Sequence, residues 1–308
     1  MEKRFELEKV KGQYQNFPKI GDIVWWSLSN IKVRRDDIEN MFRQVGLGEN
    51  YLPAVITNDS AYRKAIKYNR KVSDPQLLRL ILDDSDIIVH GIVNEKADME
   101  NMNLDYALEA RVSLDKGTGV FHSTTETDKT KKIHEDYDFY MLYYTTDDVR
   151  SIVVRVIRSL NPTVIREGGG VYFVPVTYED TVKKLEQLIP MMSWSSVVYS
   201  LPIIDTEKTR KNIFAVYTTQ VEKEIERVVA ELEGFDNPTV DVLKNRVEKF
   251  NAIRLKAEMY EDLIKMSADG IRSRIDSAVD AVTKIMLGTK GDAEQCSLSI
   301  GNVAGGAL

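Results

Sequence analysis

The sequence predicts an α+β fold, a mixed or antiparallel sheet domain with packed helices, followed by an antiparallel helical coiled-coil hairpin. Three observations carry this. In Asn161–Ile189, strand-like runs at Thr163–Arg166 and Val171–Val176 flank Gly168–Gly169–Gly170, and glycine accepts the positive φ of a tight hairpin turn. Residues 77–125 hold four apolar runs, Leu78–Leu82, Ile87–Val93, Tyr106–Leu114 and Gly119–Thr124. Asp83–Asp86 and Lys116–Gly119 supply turn residues between them. From Asp205 onward Phe214, Tyr217, Val221, Ile225, Val228, Leu232 and Phe235 recur at spacings of three and four, a heptad seam.

Residues 1–20 are charged, with too few apolar positions to assign an element. Asp22–Leu28 reads as a strand, in which the adjacent Trp25 and Trp26 point to opposite faces. Either both rings are core, or one of them meets a partner. Ile38, Met41, Phe42 and Val45 mark a helix over Arg35–Val45, closed by Gly46. A short strand at Leu52–Thr57 precedes a helix from Ser60 to Asn69, capped by Asn58, Asp59 or Ser60. After the antiparallel block, polar Glu126–Asp136 reads as an exposed loop and Asp138–Tyr144 as a strand. Val149, Ile152, Val153, Val156, Ile157 and Leu160 form the apolar face of a helix ahead of the glycine hairpin. Val182, Leu185, Leu188 and Ile189 do the same after it, with Thr177 or Asp180 as cap. Ser196–Leu201 is the last strand, ended by Pro202.

The boundaries follow: an α+β domain over 1–203, a helical domain over 205–287, and a small-residue, flexible tail over 288–308. Residues 20–70 and 137–190 share the order strand, Asp-Asp helix, glycine break, proline-led β run and helix. This reads as a duplicated β-α-β-α unit; the alternative is that capping chemistry makes unrelated junctions look alike. The second helical seam is Leu243, Val247, Phe250, Ile253, Ala257, Tyr260 and Ile264. A third apolar series begins at Ile271. It either completes a three-helix bundle or reaches a neighbouring subunit.

A net charge of -6 excludes a uniformly basic surface but leaves room for a local basic groove. Cys296 is the only cysteine, so no intrachain disulfide can form and a Cys/His zinc site cannot be completed. Neither a signal peptide nor a membrane span is visible, and the expected setting is the cytoplasm. The glycine triplet joins two strands, whereas a P-loop opens a helix after Gly-Lys-Ser/Thr. No Gly-x-Ser-x-Gly is present. No catalytic set and no cofactor are expected.

The run Ile165-Arg166-Glu167-Gly168-Gly169-Gly170-Val171-Tyr172-Phe173-Val174-Pro175 resembles the signature of an uncharacterised family of bacterial and phage proteins, over about residues 20–200. The resemblance implies a phage-related or mobile-element setting and carries no activity.

The first functional reading is a non-enzymatic, self-assembling scaffold or binding protein. Its homo-oligomer contacts would come from Val221, Ile225, Val228, Leu232, Leu243, Val247 and Phe250. The second is a nucleic-acid-binding, DNA- or RNA-processing protein. Arg63, Lys64, Lys67, Arg70 and Lys71 form the densest basic run, Arg150, Arg155 and Arg158 line a second helix, and Arg166 sits on the hairpin. With Tyr143, Tyr144 and Tyr172 these suit single strands, through phosphate contacts and base stacking. The bland alternative is a normally solvated amphipathic helix. The third is a metal-dependent nuclease on Asp83, Asp84 and Asp86, since Mg²⁺ takes carboxylate oxygens; acid clusters at turns are more often solvated punctuation. The partners in view are a second copy, nucleic acid or another protein, and no membrane.

Overall fold

The computed structural model describes residues 18–70, 76–98, 103–166, 168–233 and 239–288. In chain order, β1 (Lys19–Ser27) and β2 (Lys32–Arg34) lead to α1 (Arg35–Val45), a 3-10 turn at Glu49–Tyr51 and α2 (Asn58–Asn69). Strands β3 (Gln76–Asp83), β4 (Ile87–Asp98), β5 (Asn103–Asp115) and β6 (Phe121–Ser123) follow, then α3 (Asp128–Leu142), β7 (Tyr143–Thr145) and α4 (Thr146–Ser159). Next come β8 (Thr163–Val164), β9 (Val171–Pro175), a 3-10 turn at Val176–Tyr178, α5 (Glu179–Met192) and β10 (Val197–Ile204). Helices α6 (Glu207–Glu233), α7 (Val240–Ile264) and α8 (Asp269–Gly288) close the described chain. The class is α+β.

These elements fall into two compact units. The first takes the described residues up to Trp26, Ile157–Lys183 and those from Val198 onward; the second takes Ser27–Val156 and Lys184–Val197.

In the first unit the sheet order is β10-β1-β9-β8. β1 runs antiparallel to β9 from Gly21↔Pro175 to Trp25↔Val171, and β8 pairs with β9 at Thr163↔Phe173. A side chain at Gly21 would place its Cβ 2.2 Å from the carbonyl oxygen of Val174, so only glycine allows this approach. Gly168, Gly169 and Gly170 sit at φ +88°, +80° and +85°, the left-handed turn expected of the triplet. The sheet supplies Ile20 and Phe173 to a continuous apolar cluster. The same cluster holds Tyr217, Val221, Ile225 and Val228 of α6, Leu243, Phe250 and Tyr260 of α7, and Ile271, Ile275 and Val282 of α8. The third apolar series therefore packs with the other two helices inside the same chain. Trp25 stacks on Tyr199 at 5.3 Å and Trp26 on Tyr172 at 5.6 Å, one pair for each direction of the strand.

In the second unit β3, β4, β5 and β6 form an antiparallel meander in sequence order. Helices α2 and α3 bury Ala61, Tyr62, Ala65, Ile66, Ile133 and Tyr137 with Leu78, Ile88, Ile92, Ala110, Val112 and Leu114. A two-stranded ribbon joins β2 to β7 about Val33↔Tyr144, each strand running straight into a helix.

Several local expectations are corrected. Glu126–Asp136 is not a loop, and Asp138–Tyr144 is strand only in its last two residues, because α3 occupies Asp128–Leu142. Thr127 and Thr130 form a reciprocal capping box at its start. Its inward positions are Thr130, Ile133, Asp136 and Tyr137, so two polar residues mask the apolar period. Leu52–Thr57 is not a strand: it has no ladder partner and Val55 is 92% exposed. The cap of α2 is Thr57, whose Oγ1 accepts the Ser60 N–H at 3.1 Å. β10 runs through Pro202 instead of ending at it, which an edge strand tolerates. The expected tail at 288–308 and Cys296 lie, from 289 on, outside the described residues.

Candidate functional site

The basic helix α2 carries Lys64, Lys67 and Tyr68 on adjoining turns, and the end of α3 with β7 gathers the aromatic residues Phe139, Tyr140, Tyr143 and Tyr144 within 139–144. Packing of α2 beside α3 turns these two stretches into one row. Tyr68 meets Tyr140 edge-on at 6.5 Å, Tyr140 meets Phe139 at 5.5 Å, and Phe139 stacks on Tyr143 at 5.2 Å. Lys32 of β2 holds its Nζ 4.3 Å from the Tyr143 ring centre and 5.3 Å from that of Phe139. Lys64 Nζ lies 5.9 Å from the Tyr140 ring centre. Tyr68 is 61% exposed, while Phe139, Tyr140 and Tyr143 are half-buried and so fixed in place with part of each ring open. Burial, helped by Asp136, pushes the Tyr140 hydroxyl up to about 12, so it remains a neutral donor at ordinary pH.

The carboxylates around the row are occupied from within. Asp136 accepts Asn69 Nδ2 at 2.8 Å and pairs with Lys132 at 3.0 Å. Asp148 accepts the Thr145 N–H and Oγ1, each at 2.9 Å, and pairs with Lys64. Burial raises the Asp148 carboxyl, but the Lys64 and Thr145 hydrogen bonds outweigh it and leave the group below its ordinary range. Asp147 pairs with Arg150. Among the described residues Lys32 and Lys67 have no carboxylate partner, and both are exposed.

The other expected basic residues divide. Arg63 is clamped between Asp59 at 2.9 Å and Asp83 at 2.7 Å, and those hydrogen bonds raise its guanidinium further above its usual range. Arg70 donates to the Leu78 carbonyl oxygen at 3.2 Å. Arg155 donates to the Leu52 carbonyl oxygen at 2.9 Å. Arg158 and Arg166 are exposed and belong to the first unit, while Lys71 lies outside the described residues. Of the three tyrosines expected with them, only Tyr143 lies in the row. Tyr144 is buried beneath the Arg35 guanidinium at 4.0 Å, and Tyr172 is buried in the first unit. The residues missed were Lys32, Tyr68, Phe139 and Tyr140. Tyr68 follows Lys64 by four positions in a helix already identified, and Phe139-Tyr140 precedes Tyr143-Tyr144 by one turn, so their spacing carried a signal.

The acidic turn has another role. Asp83 accepts Lys116 at 2.8 Å as well as Arg63, and these bonds, Lys116 first, hold its carboxyl below the usual range. Asp84 Oδ1 accepts the backbone N–H groups of Ile87 at 2.8 Å and Asp86 at 2.9 Å, which lowers it likewise. Asp83, Asp84 and Asp86 thus build the β3–β4 turn. Among the described residues no three His, Cys, Asp or Glu side chains gather to hold a metal ion.

The seam residues are internal. Val221, Ile225, Val228, Leu243 and Phe250 are buried within the chain, and Val247 packs against the same cluster. The side chain of Leu232 lies outside the described set. A contact with a second copy through these positions would require the bundle to open.

One further cluster, in the first unit, centres on Lys256. Its Nζ donates to the Pro162 carbonyl oxygen and lies 5.7 Å from the ring centres of Tyr217 and Tyr260, which stack at 4.3 Å. Burial pushes the ammonium down to about 8 against the opposing pull of Glu224. Tyr260 Oη donates to the Asn161 carbonyl oxygen at 3.0 Å and accepts Thr163 Oγ1 at 2.8 Å. These bonds join α7 to the start of β8.

Comparison with known proteins gave one family model, covering residues 19–291 and describing a family of unknown function. No curated protein matched the chain. No solved structure matched it.

Proposed function

The chain belongs to that family, DUF6744, and we propose that it is a binding protein for single-stranded nucleic acid, held along the aromatic and basic row of the second unit. The observation that carries this reading is the row itself, Tyr68–Tyr140–Phe139–Tyr143, edged by Lys32, Lys64 and Lys67. Bases stack on aromatic faces with little sequence preference, and lysines beside the rings neutralise the phosphates between them. Duplex offers fewer open base faces, so single strands are the better fit. The bacterial or phage setting implied by the Ile165–Pro175 run suits a cytoplasmic protein of this kind. Among the described residues no helix is long and apolar enough to cross a membrane.

The test is fluorescence anisotropy of the full chain with a labelled oligo-dT over a salt series. Phosphate contacts by the two lysines without a carboxylate partner, Lys32 and Lys67, predict a slope of log K against log salt of about −1.4. Tyr143→Ala and Phe139→Ala should each weaken binding by about 1–3 kcal/mol. Absence of binding at low salt, or binding that ignores both substitutions, would remove the reading.

Self-association is a second reading, supported by a different surface. Ile81 and Leu82 of β3 and Leu104, Tyr106 and Leu108 of β5 are each 44–55% exposed, and a Cβ at Gly91 between these strands would meet Ile81 and Leu108 together, so they make one exposed apolar patch. Light scattering across a concentration series, with Ile81→Lys and Leu108→Lys as controls, separates a monomer from an assembly through this sheet.

A further inference from the structure

Trp194 is 92% exposed, yet the loop that carries it is tightly held. The Ser29 carbonyl oxygen accepts Ser193 Oγ at 3.0 Å, Ser195 Oγ at 3.3 Å and Ser196 Oγ at 3.0 Å. Ser29 returns two donors, its N–H to Ser196 Oγ at 3.0 Å and its Oγ to Ser195 Oγ at 3.0 Å. The Ser196 N–H donates to the Ser193 carbonyl oxygen at 2.9 Å and closes the turn around Trp194. Serines on both sides of the ring therefore bind one residue, Ser29, and the indole projects from a fixed base. An exposed tryptophan on a pre-ordered loop is an expensive surface feature for a solvated protein and a low-entropy anchor for a partner.

Its position relates it to the row. Ser29 is three residues from Lys32, at most roughly 11 Å of extended chain, and Lys32 lies over Tyr143. The intervening Ile31 is pinned by its N–H to Thr146 Oγ1 at 3.2 Å, next to β7. The serine clasp and the Tyr143 end of the row are thus tied to one short segment of the second unit.

We propose that Trp194 is a further base-stacking anchor for the same single strand, engaging a nucleotide beyond the Lys32–Tyr143 end of the row; this rests on the nucleic-acid reading above. The indole supplies a π-face that any base can cover, and the serine hydroxyls, already satisfied by Ser29, keep it presented. A strand long enough to reach from the row to the clasp gains the extra contact, and a very short one does not.

The experiment uses the full chain and oligo-dT of about 4 and about 12 nucleotides, within the site sizes of single-strand platforms. The chain has 3 tryptophans, so the emission of Trp194 is read as the difference between the parent and Trp194→Phe. The longer oligonucleotide should quench that emission, and Trp194→Phe should remove the signal while keeping most of the affinity. Trp194→Ala should weaken the longer oligonucleotide roughly 5- to 100-fold and leave the shorter one unchanged. The ring buries little, so Trp194→Ala should melt as the parent does, and that melt is the folding control. Unchanged emission at saturation, or equal affinities for Trp194→Ala and parent, overturns the proposal while Tyr143→Ala still tests the row. No oligonucleotide binding at all overturns both. If Trp194→Ala instead changes only the molar mass in light scattering, the ring is a protein contact and the proposal is overturned.

Discussion

Tyr62 Oη lies 3.2 Å from His90 Nδ1 and 3.1 Å from the Val112 carbonyl oxygen, at the centre of the second unit's core. A phenol has one proton, and the Val112 carbonyl can only accept, so Tyr62 donates to Val112 and His90 Nδ1–H donates to Tyr62. The neutral Nδ1–H tautomer and the imidazolium can both make that bond, and what keeps His90 neutral is burial, together with Arg70 and Arg63, which pushes its pKa down to about 4 from 6.5. Between those values the unfolded chain binds a proton that the folded chain does not, so stability rises with pH through this window. Stability should be full above pH 6.5 and fall by about 3 kcal/mol as pH drops to 4. The lowered carboxyls of Asp83, Asp148 and Glu179 also lose stability as pH falls, at the acid end of this window, so the difference between parent and a His90 variant is the diagnostic. Urea unfolding across pH 4–7 should show the slope, and His90→Gln should flatten it; an unchanged slope in the variant would assign it elsewhere.

Burial of the heptad seam makes an equally direct prediction. Phe250 and Leu243 are fully buried among α6, α7 and α8, and truncating them removes transfer energy and leaves a cavity. Phe250→Ala should cost about 3–5 kcal/mol and Leu243→Ala about 2–5 kcal/mol. Because the cluster is internal, the molar mass in light scattering should not change in a variant that still folds. A folded variant with altered mass would show that the seam also serves a partner.

Much of this was legible in the sequence because local chemistry and tertiary packing agree. The α1 limits, the β3–β6 meander and the glycine hairpin each follow from a period or a turn residue. Helix α3 was hidden because Thr130 and Asp136 face inward, paired with Thr125 and Asn69, which no periodicity reveals. Leu52–Thr57 shows the reverse, an apolar run with strand character and no neighbour to pair with. The basic helix was visible as charge, but which cations stay free depended on Asp83 and Asp148 arriving from distant segments. The row needed the pairing of β2 with β7 to place Lys32 over Tyr143, and a contact of that sequence separation is invisible until the chain is folded.

The glycine hairpin can be tested residue by residue. At Gly168 and Gly170 a Cβ would point into open space, so alanine there meets only the backbone penalty of a left-handed conformation. About 1–2 kcal/mol is expected for each. At Gly169 the Cβ would also lie 3.3 Å from Tyr172 Oη, so Gly169→Ala should cost more than either neighbour. Urea midpoints in that order are expected. Three equal midpoints would mean that the turn relaxes as a whole.

Lys256 gives a second pH signature, at the alkaline end. Its ammonium is held to the Pro162 carbonyl oxygen beside the stacked Tyr217 and Tyr260 rings, and burial lowers its pKa to about 8 from 10.5. Below pH 8 both folded and unfolded chains carry the proton, and the folded chain bears the whole desolvation penalty. From pH 8 to 10.5 the unfolded chain retains a proton that the folded chain has released, so this group makes stability rise with pH. The rise is at most about 3 kcal/mol, reduced by the part of the side chain left open to solvent. Lys256→Met removes the titration and keeps the packed stem, so its stability relative to the parent should decline between pH 8 and 10. Lost contacts to Pro162 and the two rings shift that difference by a constant while the ammonium stays charged, so the pH trend is the diagnostic. Parallel curves for the two proteins would show that Lys256 titrates as an ordinary surface lysine.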